Sequence, residues 1–189
     1  DGERVLFASG RDTAPVSVNR LWTIAVAGGP ASLLNKQWAN DGAYSDNGKQ
    51  LIIDRMDRWD VEWRNYKGGQ NTPLVILDLE NNKETQLPHK DSTDIEPVWA
   101  NDTVYFISDR DWIANVWAYN VKRKKLSQVT FFKENDVKQL STNGKLLAFE
   151  QNGYLHTLDL QTNETTQLSV SINSDFPWAE TKWEDVSAS

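Results

Sequence analysis

The stretch Leu140-Ser141-Thr142-Asn143-Gly144-Lys145-Leu146-Leu147-Ala148-Phe149, continued by Tyr154-Leu155-His156-Thr157-Leu158-Asp159-Leu160-Gln161-Thr162-Asn163-Glu164 and closed by Leu168, decides the fold. Its first part reads as a turn and a strand, since Asn-Gly supplies the positive φ of a tight hairpin. Its second part is an apolar run, a four-residue turn and a short return strand. Two hairpins in succession, with no helical spacing between them, make a four-stranded antiparallel unit.

The second hairpin recurs four times. Its core is Ile24-Ala25-Val26, Leu77-Asp78-Leu79, Tyr119-Asn120-Val121 and Leu158-Asp159-Leu160. Apolar or aromatic runs precede it: Leu21-Trp22, Leu74-Val75-Ile76, Val116-Trp117 and Tyr154-Leu155. The turns are Ala27-Gly28-Gly29-Pro30, Glu80-Asn81-Asn82-Lys83, Lys122-Arg123-Lys124-Lys125 and Gln161-Thr162-Asn163-Glu164, and an apolar residue closes each unit at Leu34, Leu87, Val129 and Leu168. The first hairpin is complete in three copies. Tyr44-Ser45-Asp46-Asn47-Gly48-Lys49 before Leu51-Ile52-Ile53 matches the turn of the fourth copy, and Trp99-Ala100-Asn101-Asp102 before Val104-Tyr105-Phe106 is two residues shorter. In the first copy only Asp1-Gly2-Glu3 and Val5-Leu6-Phe7 are present. Four antiparallel strands in about 40 residues, repeated, is the signature of propeller blades. The expected fold is therefore all-β, a β-propeller segment of about four four-stranded blades forming a partial ring.

The expected blades are approximately 1–36, 37–90, 91–133 and 134–170, with 171–189 an exit segment or the first strand of a further blade. Blade one is expected to lack its innermost strand. Trp183-Glu184-Asp185 resembles Trp99-Ala100-Asn101-Asp102, so it starts a further blade or fills the gap at the other end. A ring cut in mid-blade exposes strand edges that native proteins avoid, which points to a fragment of a longer protein. An insertion around Arg58–Gly69 falls between the second and third strands of its blade; its Trp side chains are expected to pack on the neighbouring blade, with a binding role as the rival reading.

Composition narrows the function. A formal charge of −7 leaves no basic face to neutralise phosphates, and the one basic run, Lys122–Lys125, is a turn, so no nucleic-acid partner is expected. No apolar stretch approaches the roughly 18 residues of a membrane span. The chain has no cysteine, which removes disulfides and thiolate metal sites and fits cytoplasm or periplasm equally.

No catalytic, cofactor or metal residue is assigned. A serine hydrolase needs a base beside its nucleophile, and only His89, in a polar turn, and His156, on a strand, are available, without a Gly-x-Ser-x-Gly elbow. Two acidic clusters, Asp91 with Asp94 and Glu96, and Asp109 with Asp111, lack the order of a calcium loop and are read as turn caps or partners of Arg110. Gly28-Gly29 and Gly68-Gly69 precede no helix, so neither makes a phosphate cradle. The glycosylation sequons at Asn101 and Asn163 fall in turns rich in such residues and carry no weight.

The Ser-Asp-Asn-Gly-Lys type of turn resembles the propeller repeats of TolB and related proteins. Glu62-Trp63-Arg64-Asn65-Tyr66-Lys67-Gly68-Gly69 resembles a Trp-Arg/Lys-x-Tyr-Arg/Lys-Gly-Gly stretch of the tricorn protease family, with Lys67 where Arg is usual. Thr93–Trp99, Tyr105–Asp111 and Ser174–Ala179 resemble that family too. The resemblance implies the last four blades of a six-bladed N-terminal propeller, in a protein whose serine peptidase core lies downstream. It implies a non-catalytic scaffold and gate for peptides, with peptides or the remaining domains of the parent as partners and a homo-oligomer left open. The alternatives are a TolB-like protein–protein interaction module, or a propeller attached to another hydrolase such as an amidohydrolase. Net acidity adds an expected preference for basic or neutral peptides.

Overall fold

The computed structural model describes residues 2–15, 18–34, 37–56, 67–69, 71–172, 181–184 and 187. Among the described residues, fifteen strands make four antiparallel sheets. The first holds β1 (Arg4–Ser9), β2 (Arg20–Ala25) and β3 (Ser32–Leu33); the second holds β4 (Asp41–Tyr44), β5 (Gln50–Asp54), β6 (Val75–Asp78) and β7 (Glu84–Gln86). The third holds β8 (Asp94–Ala100), β9 (Thr103–Ser108), β10 (Asn115–Asn120) and β11 (Lys125–Gln128). The fourth holds β12 (Val137–Thr142), β13 (Leu146–Gln151), β14 (Tyr154–Asp159) and β15 (Thr165–Gln167). Strands follow chain order within every sheet, and β8 touches both β4 and β12. These are four blades of a β-propeller, and the first strands of the last three, β4, β8 and β12, meet at the hub. The first blade has three strands among the described residues, and the insertion lies between β5 and β6, the second and third strands of its blade.

The repeat seen in the sequence is a repeat of hydrogen bonds. Val26, Leu79, Val121 and Leu160 each donate their amide to the residue just before the second strand of the blade: Glu3, Lys49, Asp102 and Lys145, at 2.8–3.0 Å. The closing residues Leu34, Leu87, Val129 and Leu168 donate to Leu21, Leu74, Val116 and Leu155 at 2.8–2.9 Å. Between these bonds the outer turn is capped by a side chain: Asp78 Oδ1 accepts from Glu80 and Asn81, Asn120 Oδ1 from Arg123, and Asp159 Oδ1 from Gln161 and Thr162. Asn82, Lys124 and Asn163 then take positive φ, where short polar side chains are the best tolerated after glycine. The basic run thus forms the turn that joins β10 to β11, with Lys125 as the first residue of β11.

Period-two alternation sends successive side chains of one strand to opposite neighbours. Leu51, Ile53 and Leu77 pack with Leu21 of the first blade and with Ala39, just ahead of β4, whereas Ile52 and Ile76 pack with Val104, Phe106 and Tyr119 of the third. Ile107 and Val116 leave the third blade on its other face, towards Leu147, Phe149 and Leu158. The core therefore lies between blades, and a fully buried Phe106 or Phe149 contributes about 2–3 kcal/mol by removal from water.

One expectation needs correcting. The inner turn of the fourth blade does not match that of the second: Tyr44 sits opposite Leu51, but Thr142 sits opposite Leu147, as closely spaced as Trp99 and Val104 in the third. One of the two missing residues is taken up by a bulge between Lys138 and Ser141, where Gln139 has φ 56°; the third blade has the same bulge between Ile95 and Val98, where Glu96 has φ 54°.

Candidate functional site at the inner strands

Among the described residues, the buried polar side chains Ser92, Asp94, Glu96, Ser108 and Asp109 lie on or beside β8 and β9. Asp94 opens β8 opposite Ser108, the last residue of β9, and is buried. Arg110, two residues past β9, turns back over the sheet and puts Nη2 at 2.9 and 2.8 Å from the two oxygens of Asp94. Its Nε donates to Ser108 Oγ at 2.9 Å, and its guanidinium lies 4.9 Å from the Trp117 ring and 5.4 Å from Phe106. The aromatic faces hold the cation where the carboxylate can meet it. Ser92 Oγ donates to Asp94 Oδ1 at 2.9 Å, and His89 Nδ1 is 3.2 Å from Oδ2. Burial alone pushes the Asp94 carboxyl up; the His89 bond and the Arg110 charge outweigh it and hold the group below the usual carboxylate value.

Serine, histidine and aspartate thus meet, but not in the wiring of a nucleophile. A catalytic serine gives its proton to histidine, which the carboxylate orients from the far side. Here Ser92 donates to the aspartate instead, is fully buried, and shares that carboxylate with Arg110. His156 is buried elsewhere, stacked on Phe149 at 5.6 Å and edge-on to Phe132 at 5.9 Å. In this arrangement the cluster joins strand to loop, and the Ser92 hydroxyl is directed at a carboxylate rather than at His89.

The two acidic groups of the sequence divide. Asp91 is exposed with φ 43°, Asp94 holds Arg110, and Glu96 turns to the next blade, where its Oε2 accepts the Leu140 amide at 2.6 Å. Upstream, the buried Asp54 accepts the Met56 amide at 2.8 Å and the Glu96 amide at 3.3 Å. Asp54 and Glu96 therefore stitch the second, third and fourth blades in series. Asp109 Oδ1 accepts the Thr93 amide at 2.7 Å and lies 3.7 Å from Lys67 Nζ, so the end of the insertion reaches the neighbouring blade; Asp111 is exposed. Among the described residues no three His, Cys, Asp or Glu side chains are grouped to hold a metal ion, and no helix is long and apolar enough to cross a membrane. Trp59, Trp63–Tyr66 and the exit stretch Ser174–Ala179 lie outside the described residues.

Sequence reasoning named Arg110 as a partner for the aspartates and missed the roles of Asp54, Ser92 and Ser108, of which only Ser108 left a mark in the sequence. One signal was available: Phe7-Ala8-Ser9-Gly10-Arg11-Asp12 repeats the spacing of Phe106-Ile107-Ser108-Asp109-Arg110-Asp111, which marks the serine and arginine as a pair.

Residues 1–164 match the model of the tricorn protease N-terminal β-propeller domain. The chain belongs to that family. It is 28% identical over 138 residues to the tricorn protease of Thermoplasma volcanium, a match that covers 67% of this chain and 12% of that protein. The chain thus corresponds to about an eighth of that relative's length. Among solved structures, TolB from Acinetobacter baumannii is similar over 88% of this chain and 41% of its own, at 15% identity and a TM-score of 0.67. The crystal structure of the tricorn protease is similar over 90% of this chain and 21% of its own, at 15% identity and a TM-score of 0.56. At these identities the two structures bear on the fold alone. The family model supplies what they do not: it distinguishes a tricorn propeller from the many proteins that share the blade.

Proposed function

We propose that this tricorn-type propeller is a non-catalytic segment of a tricorn-like serine peptidase, and that it acts as scaffold and gate for peptides hydrolysed elsewhere in the parent protein. The observation that carries the reading is the family match across residues 1–164. The wiring of the inner strands supports it. Asp94, Ser92, His89 and Arg110 use their bonding capacity on one another, and Asp54 and Glu96 use theirs on backbone amides of neighbouring blades. A gate needs this kind of rigid hub, because selection by channel width fails if blades slide.

The gate reading predicts two separable behaviours. Incubated with a fluorophosphonate and with a peptide pool, the isolated chain takes no label and releases no new amines, whereas the parent does both. In the parent, Gln139→Cys on the hub strand β12, coupled to a bulky maleimide, slows cleavage of peptides of about 20 residues and leaves a short fluorogenic substrate untouched. Labelling of a serine in the isolated chain would sink the non-catalytic reading. Equal turnover of long peptides with and without the plug would remove the gate and leave the scaffold. A parent without peptidase activity, in which the chain forms a stable complex with a folded protein, would replace the reading with an interaction module.

A further inference from the structure

Arg11 is the counterpart of Arg110. Each lies seven residues after the start of the second strand of its blade, β1 being the counterpart of β9. Arg11 N and Nε are 3.4 and 3.2 Å from Ser9 Oγ, as Arg110 N and Nε are 3.4 and 2.9 Å from Ser108 Oγ. The guanidinium of Arg11 lies 4.9 Å from the Phe7 ring and 5.1 Å from Trp22, residues paired across β1 and β2 as Phe106 and Trp117 are across β9 and β10. The same serine, the same two rings and the same cation are therefore built twice. The difference is the carboxylate: Arg110 is 6% exposed on Asp94, while Arg11 is exposed and no acidic side chain among the described residues pairs with it. Asp94 stands on the innermost strand of the third blade, opposite Ser108; in the first blade the edge of β1 opposite Ser9 carries no strand among the described residues.

The approach to that edge is also preformed. Gly48 and Gly144, which lead from an innermost strand into β5 and β13, have φ 67° and 86°, and Asn101, which leads into β9, has φ 55°. Gly2 occupies the same place before β1 and has φ 74°. Its neighbour Glu3 accepts the Val26 amide, as Lys49, Asp102 and Lys145 accept Leu79, Val121 and Leu160. Gly2 and Glu3 are thus the second half of an inner turn.

We propose that the open edge of β1 is completed by a strand of the parent polypeptide arriving through this turn, and that the strand carries a carboxylate opposite Ser9 which Arg11 grips as Arg110 grips Asp94. Charge and geometry select the occupant: an extended antiparallel segment with an acidic residue sixteen positions before Arg11, the separation between Asp94 and Arg110. A basic or neutral residue there would leave a cation, already held by two rings and a hydroxyl, facing a strand that cannot neutralise it.

The test uses the chain's own sequence as the probe. Residues Ser92–Trp99 are copied directly ahead of Asp1, which sets the copied aspartate at the required separation, and unfolding in urea is compared with a second fusion carrying Asp94→Asn in the copy only. The unfolding equilibrium constant is expected to be at least tenfold smaller with Asp than with Asn, and the difference to fall below twofold when both fusions also carry Arg11→Gln. Amide exchange along β1 should slow in the Asp fusion. Equal stability of the Asp and Asn fusions, or a difference that survives Arg11→Gln, overturns the pairing. If the same coupling arises only when the copy follows Ser189, the strand comes from the other end and the proposed route is wrong.

Discussion

Arg110 holds both oxygens of Asp94 from one guanidinium nitrogen, at 2.9 and 2.8 Å, across the edge of the two strands that carry them. Both side chains are almost fully buried, so the attraction is bought against a large desolvation cost. Removing one partner leaves the other charged and dry. Arg110→Met is therefore expected to destabilise the chain by about 3–5 kcal/mol, and Asp94→Asn by a similar amount. The double exchange Asp94→Leu with Arg110→Met should be less harmful than either single change, because it removes both desolvated charges together. Urea unfolding of the four proteins gives the comparison directly.

The same pair sets a pH dependence. The Asp94 carboxyl is held below the ordinary value of 3.8 in the folded chain, against the upward push of burial. A lowered folded value stabilises the chain above the unfolded value, and that contribution is lost as pH falls through the folded one. The urea midpoint should thus decline as the solution is taken below 3.8. In Asp94→Asn the plateau should be lower and the acid decline shallower. A wild-type decline as shallow as the mutant's would show that other carboxylates dominate.

Gly42 is a packing requirement of the hub. A Cβ built on it would sit 2.6 Å from the Ile52 carbonyl oxygen and 3.1 Å from Leu21 Cδ1. The first contact is with backbone of a paired strand, which cannot turn aside as a side chain could. Gly42→Ala should cost about 3 kcal/mol, at the upper end of ordinary overpacking, and should weaken the contact between the first and second blades. The midpoint of urea unfolding checks the size, and faster exchange of β4 amides checks the place.

The blades were legible in the sequence because their causes are local. Alternation, an Asn or Asp cap and a left-handed turn residue all lie within one hairpin, so Leu77-Asp78-Leu79 and Leu158-Asp159-Leu160 announce themselves. The hub was less legible because its causes lie between hairpins. Asp91, Asp94 and Glu96 look like one acidic cluster in the chain. Strand pairing turns Asp94 towards Arg110, and the bulge at Glu96 turns the third residue to another blade. The inner turn of the fourth blade was misjudged for the same reason, since the bulge at Gln139 leaves no mark in residue type.

That bulge offers a test of what Glu96 does. Glu96 and Gln139 occupy the same left-handed position, with φ 54° and 56°, a conformation that costs a non-glycine residue about 1–2 kcal/mol. Glu96 is buried and its carboxylate accepts the Leu140 amide; Gln139 is exposed. Glycine relieves the backbone at both positions, but only at 96 does it remove an acceptor from a buried amide, a loss of about 1–3 kcal/mol. Gln139→Gly is therefore expected to be neutral or slightly stabilising, and Glu96→Gly destabilising. Glu96→Ala should be worse than Glu96→Gly by about 1 kcal/mol, since it loses the acceptor and keeps the strained backbone. If Glu96→Gly and Gln139→Gly behave alike in urea unfolding, the carboxylate does not join the third and fourth blades, and the bulge is only a bend in the strand.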